Sequence, residues 1–520
     1  MIVDWRFVDF RFIAGLIATL NRQSTIIKFI AGLIATLNRQ STIIKSKIGN
    51  AAVVAVLLSW ACDGPLLPPL PDTSSQPAAV RQHLTDADRA ARDRPRSADA
   101  VGALCFAYHA DMFYDQAERC YAIVETLSGA EWRWTYYHAL AQDTRGDAEA
   151  AAASFRKIAA KASDFSPAWW RLGEAEFKAG RYDAARDAWS RVRSLPEPAR
   201  PASKDSGATR VPTASISAYA TLGLARISLL RSDANVAREL LETVTQTNPA
   251  FGPAFRLLGS TYEALGRAGD AKQAIRIADR SPGFDPYVDP MIDPLVRESR
   301  SSTFLLQQAA SADINVNAAW REYLIRRALE FDPGNKDALY ELASMLRVLR
   351  RYDEALSLLE RHQREAPGDY QVVADIGRCL SGLQRFSEAE SVLRRALQGQ
   401  DDANTRYDLG FALDRQGRLR EAIAEYQQAL DRSPNHRDAR NNLGVAFARQ
   451  GKVHEAALQF ERLVAVDPDN ADAHTNLGAM LLTEGARERA SQEFRAALEL
   501  DPNHARAREA LTKIEAARRR

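Results

Sequence analysis

Cysteine is scarce in these 520 residues: Cys62, Cys105, Cys120 and Cys379 form no CxxC pair and no Cys/His run at zinc spacing. Glycine and proline, at 27 and 22, fall below average usage, which disfavours a loop-rich all-β chain and leaves helices as the main filling. Charge of one sign is missing too. With Lys+Arg 69 against Asp+Glu 67 the net charge is +2, so no electrostatic footprint for nucleic acid exists. The chemistry-bearing signatures are also absent: no phosphate-binding GxxxxGK loop, no GxGxxG after a strand, no HExxH, no GxSxG and no CxxCH. His109 and His138 stand singly on amphipathic stretches, as core or surface histidines do. These absences argue against an enzyme and predict neither cofactor nor metal. What is present, 46% hydrophobic and 26% charged residues, is the composition of a folded soluble chain, long enough for three or four domains.

The first sixty residues are unusual. Residues 12–28 read FIAGLIATLNRQSTIIK, and 29–45 repeat the same seventeen letters without a difference. Identity this complete points to a recent duplication of coding DNA, or to a translated upstream region, rather than to a folded unit. Lys45 and Lys47 then precede an apolar stretch over 48–61 of fourteen residues, short for a membrane span and ordered like a secretory signal. Ser59-Trp60-Ala61-Cys62 resembles a bacterial lipoprotein box, which makes Cys62 the lipidation candidate. Ser59 and Trp60 depart from that pattern, so cleavage after Ala61 and an uncleaved anchor over 12–61 both stay open. The proline-rich residues 62–79 are expected to form an extended tether.

An internal period sets the architecture. NLGAMLLTEGARERASQEFRAALELDPN (476–503), NLGVAFARQGKVHEAALQFERLVAVDPDN (442–470) and DLGFALDRQGRLREAIAEYQQALDRSPNH (408–436) align at a constant offset of 34. Leu477, Gly478, Gly485, Ala490, Phe494, Ala497 and Pro502 in the last unit match Leu409, Gly410, Gly417, Ala422, Tyr426, Ala429 and Pro434 two units earlier. Leu477 and Leu481, then Ala490, Phe494 and Ala497, mark one buried stripe per helix, with Gly485 breaking the first helix and Pro502 ending the unit. The pattern resembles the tetratricopeptide repeat family. That resemblance implies an all-α, right-handed α-solenoid of about eleven helix-turn-helix units.

Two interruptions divide it. Residues 196–215 read as a polar inserted loop, and 282–295 carry Asp-Pro at 285, 289 and 293, where Asp293-Pro294 has the form of a helix start. The predicted organisation is a signal or anchor region over 1–61, a tether over 62–79, and an N-terminal array over 80–283. An Asp-Pro linker and possible hinge over 284–301, a C-terminal array over 302–504 and a capping helix over 505–520 follow. Cys105 and Cys120 flank the turn near Met112, so they either form a disulfide or stand as two thiols on different faces.

In this family the first helix of each repeat lines a concave surface, and repeat positions five and six are among those left free. Those positions here are Tyr340, Glu341, Asp375, Tyr407, Asp408, Asn441, Asn442 and Asn476. They form a polar ladder suited to the backbone of an extended peptide. Arg378, Arg415 and Arg449 lie on the same helices as candidates for ligand carboxylates. In the N-terminal array, Tyr136, Tyr137, Trp170 and Arg171 form a candidate aromatic patch. The functional expectation is a non-catalytic scaffold of the bacterial cell envelope that binds protein or peptide partners, with no nucleic acid, and with membrane contact only through the N-terminus. Two alternatives stay open: an accessory factor presenting substrates to a separate enzyme, an envelope assembly machine or a cytochrome maturation machine; or a cytoplasmic adaptor whose first residues lie upstream of the true start.

Overall fold

The computed structural model describes residues 67–129, 131–198, 214–281 and 287–519, and among these no strand occurs. The duplicated segment, the signal region, Cys62 and most of the 196–215 insert lie outside the described residues. Among the described residues twenty-five helices are formed, and twenty-two of them pair into eleven antiparallel hairpins. Five hairpins run from Ala98–Ala110 with Tyr114–Leu127 to Gly252–Ala264 with Ala268–Arg280. Six more run from Ser302–Ala310 with Ile314–Phe331 to Ala471–Thr483 with Arg487–Leu500. Ala505–Arg519 lies against the last hairpin.

Local chemistry explains the hairpin. Asn335, Asp369, Asp402, His436 and Asn470 cap first helices, each side chain accepting from the N–H three residues on. The turn that follows requires a left-handed residue, which Gly417, Gly451 and Gly485 supply at φ of 79°, 75° and 87°. The next N–H then reaches back into the helix, as Lys452 N does to the Phe447 carbonyl at 3.0 Å. Inside the hairpin, Gly410, Gly444 and Gly478 sit beneath the rings of Tyr426, Phe460 and Phe494. A Cβ on any of them would lie 2.8–2.9 Å from ring carbons. The small residues of the repeat are the seats of its aromatics.

A second periodic device joins one repeat to the next. At position four of a repeat, a side-chain donor reaches the carbonyl six residues earlier. Trp169 donates to Ser163 and His474 pairs with Pro468, each at 3.0 Å, and Arg440 and Arg508 donate to Pro434 and Pro502. The same residue reaches the second helix: Arg406 donates to Glu425 at 2.8 Å, and His474 bonds Glu493 at 2.7 Å. Proline at the end of the unit therefore leaves its carbonyl for the next repeat to cap.

Four expectations change. The 302–335 unit, of which only the second half is legible in sequence, is a complete hairpin whose first helix is nine residues long. The helix after the linker begins at Ile292 rather than being capped by Asp293, because Asp289 accepts from the Met291 N–H at 2.9 Å and turns the chain earlier. At the end of the proline-rich segment Leu67 and Pro68 are buried, and the Pro68 carbonyl accepts from Arg92 at 3.2 Å. Residues 287–301 do not form a free hinge: Asp289, Leu295, Val296, Ser299 and Ser301 are all buried. One apolar core consequently runs from Val80 and Leu84 through Leu295 and Val296 into Trp320, Leu324 and the C-terminal hairpins, while the hairpins between Ala185 and Ala274 share another.

Candidate peptide-binding surfaces

The C-terminal first helices bring the predicted ladder together in two sections. In the upper one Asp375 is only 2% exposed; Tyr340 Oη donates to its Oδ2 at 3.0 Å, and Arg378 donates to its Oδ1 at 2.7 Å. Arg378 also reaches Asp408 at 2.5 Å, and Arg347 stands 3.7 Å from Asp375. Burial pushes the Asp408 carboxyl up to about 6 against the pull of Arg378. Two carboxylates and two guanidinium groups neutralise one another here. Asp375 and Arg378 therefore brace adjacent helices and are not free for a ligand, contrary to the sequence expectation.

The lower section is different. Asn441, Asn442 and Asn476 are half-buried and linked in a row. Asn442 Nδ2 donates to Tyr407 Oη at 3.5 Å, Asn441 Nδ2 to Asn442 Oδ1 at 3.2 Å, and Asn476 Nδ2 to Asn441 Oδ1 at 3.3 Å. Arg506, which the sequence reading missed, donates to Asn476 Oδ1 at 3.0 Å and ends the row. Its place at position two of the C-terminal helix is a free position of the family, which is the signal that would have found it. Each amide has two N–H donors and two acceptor lone pairs, so each keeps capacity beyond these bonds.

Among the candidate arginines, Arg449 is consumed by Asp414, and Glu341 is held by Arg321 at 2.8 Å. Arg415 is exposed, 5.6 Å above the Phe386 ring, and has no carboxylate partner among the described residues. It alone of the three retains a guanidinium for a ligand.

The N-terminal patch is not open. Tyr136 is fully buried among Trp132, Phe155 and Phe165, with its hydroxyl on Asp289 of the 287–296 segment, and Tyr137 is nearly buried against Phe106. Tyr136 Oη donates to Asp289 Oδ2 at 2.9 Å, Arg171 Nε donates to the same oxygen at 2.7 Å, and Tyr287 lies 4.8 Å from Trp170 between ring centres. The aromatic residues there are therefore lining with an occupant in place. Cys105 and Cys120 are joined by a disulfide with Cα atoms 5.2 Å apart, so the bridge is the alternative realised. His109 is buried against Tyr121, which pulls its imidazole down to about 3 and keeps it neutral. Among the described residues no cluster of His, Cys, Asp or Glu has the form of a metal site.

Family models for the tetratricopeptide repeat match residues 138–197, 317–370, 407–463 and 447–505, and a second such model matches 349–409. The chain is a tetratricopeptide-repeat protein. No curated protein matches it. Solved tetratricopeptide-repeat structures resemble it in part. YrrB, titled a TPR protein with an unusual peptide-binding site, is 23% identical, covers 36% of this chain and 96% of its own, and superposes at a TM-score of 0.30. PilW, titled a type IV pilus biogenesis factor, is 19% identical over 40% of this chain and 98% of its own, at 0.37. Yeast Tom70 is 14% identical over 81% of this chain and 95% of its own, at 0.35. At scores this low none of the three bears on what this tetratricopeptide-repeat protein binds.

Proposed function

We propose that the chain is a non-catalytic scaffold of the bacterial cell envelope, holding protein partners or their extended segments along the first helices of its C-terminal array. The observation that carries this reading is the row Tyr407, Asn442, Asn441, Asn476 and Arg506, with its spare donors and acceptors. An extended backbone offers alternating N–H and C=O groups, which is what half-buried amides complement. Arg415, two turns along the helix that carries Tyr407, suits a carboxylate. Tetratricopeptide repeats generally bind protein or peptide partners and are generally non-catalytic.

The envelope part of the proposal rests on the signal-like residues 45–62 and is supported by the Cys105–Cys120 disulfide, a bond that persists in oxidising compartments. Among the described residues no helix is long and apolar enough to cross a membrane. The proposal takes attachment to lie at the N-terminus, with Cys62 as the candidate lipid site. Changing Asn442 and Asn476 together to Ala is expected to leave helicity intact and to weaken partner recovery from envelope fractions about tenfold, from the loss of roughly two net hydrogen bonds. Equal recovery with both chains contradicts the groove. Mass spectrometry of the mature N-terminus tests the location separately: a chain beginning at or after Cys62 supports export through a cleaved signal, and an intact residue 1 contradicts cleavage and a lipid on Cys62.

A further inference from the structure

Residues 287–301 take a path that a connection does not need. Apart from the connection between Arg193 and Ile216, neighbouring hairpins elsewhere in the arrays are joined by short turns, and connections between packed helices usually take about 2–8 residues. Here the chain leaves the last N-terminal hairpin, returns along the first helices of that array, and begins the C-terminal array beside Ala78–Asp93. It runs antiparallel to the order of the repeats. Tyr287 meets Trp170 and Tyr219, Asp289 meets Arg171 and Tyr136, and Leu295 and Val296 pack at the Ala98–Ala110 helix. Glu298 then pairs with His83 at 2.9 Å, and the Arg300 and Ser301 N–H groups donate to Asp111 at 2.8 and 3.0 Å.

We propose that the first-helix face of the N-terminal array is a recognition site for an extended peptide carrying an aromatic residue and, two positions later, an aspartate. Residues 287–290, ahead of the Ile292–Glu298 helix, are a ligand of this class seated in cis. The selective element is the Asp289 carboxylate, 2% exposed: its Oδ2 is held by one charged and one neutral donor of the array, while its Oδ1 accepts from the Met291 N–H of its own segment. A largely buried guanidinium whose hydrogen-bonded carboxylate is removed loses its nearest compensating charge, so the site discriminates against an amide in that place. Arg171 also lies 5.1 Å above Trp170, which fixes the guanidinium plane between the aromatic and acidic subsites. The partner class is therefore a protein with an exposed Tyr-x-Asp-type strand. It competes with a segment tethered at an effective concentration on the order of millimolar, so the site in the intact chain is closed to weak competitors.

The probe is a fluorescein-labelled peptide of residues 287–294, YVDPMIDP, titrated by anisotropy against three full-length chains: unaltered, Asp289→Ala, and Tyr287→Ala/Asp289→Ala. Far-UV circular dichroism checks that each is folded, and either variant suffices if the other is not. The expected result is saturable binding to a folded variant, no binding to the unaltered chain at the same concentrations, and binding weakened about tenfold or more when the peptide carries Asn in place of Asp. Absence of binding to the folded variants, equal binding to the unaltered chain, or indifference to Asn overturns the proposal. The probe occupies the other array from the asparagine row, so failure here leaves the C-terminal reading to its own test.

Discussion

Gly444 shows how one residue sets the spacing of two helices. Its missing side chain leaves room for the Phe460 ring, and an added Cβ would lie 2.8 Å from two ring carbons. Gly444→Ala is expected to cost about 1–3 kcal/mol, the usual range for overpacking a close-fitting core, measured as a lower midpoint in urea unfolding. The opposite sign applies at Arg350, an exposed turn residue held at φ 60° where Gly417, Gly451 and Gly485 stand in later repeats. Left-handed geometry costs a side-chain-bearing residue about 1–2 kcal/mol, and glycine adds roughly 0.4–1 kcal/mol of unfolded-state entropy. Arg350→Gly is therefore expected to raise stability by a few tenths to 1 kcal/mol in the same assay. These positions were legible in the sequence because each role recurs at a fixed offset. Arg440 and His474 were not, since different side chains perform the same capping task there.

At the scale of elements, the segment 287–301 depends on charge at His83. Burial pulls that imidazole down, but hydrogen bonds to Asp111 and Glu298 outweigh it and raise it to about 9, with Arg300 and Arg327 near Glu298. A base raised in the folded state stabilises fully below its ordinary value of about 6.5 and loses that contribution as pH climbs through 9. The shift corresponds to at most about 3 kcal/mol. Urea unfolding of the unaltered chain is expected to show stability falling between pH 6.5 and 9.5, and His83→Gln to show a flatter profile over that window; parallel profiles contradict the assignment. None of this was readable in advance. Asp289 and Tyr136 are 153 residues apart, and their contact belongs to no repeat position, whereas each hairpin arises from residues within one 34-residue unit. The Asp-Pro steps marked the segment as special without revealing what they pack against.

For the whole molecule, the two arrays differ in availability. The N-terminal first helices hold a segment of their own chain, and the core continues through that segment into the C-terminal array. The expected pair of arrays about a hinge becomes one body, with an additional ion pair between Arg276 and Asp469 at 3.5 Å. While the N-terminal face is filled in cis, partner binding on this account falls to the asparagine row and Arg415. The most direct measurement is site-specific photo-crosslinking in cells, with a benzophenone residue at Val445, exposed on a first helix one turn from Asn441 and Asn442, or at Gln427, exposed on a second helix. The account predicts a discrete protein adduct from position 445 that weakens several-fold when Asn442→Ala is added, and none from 427. Equal adducts from both positions, or an adduct at 445 unaffected by Asn442→Ala, would contradict the claim that this row is where the partner lies.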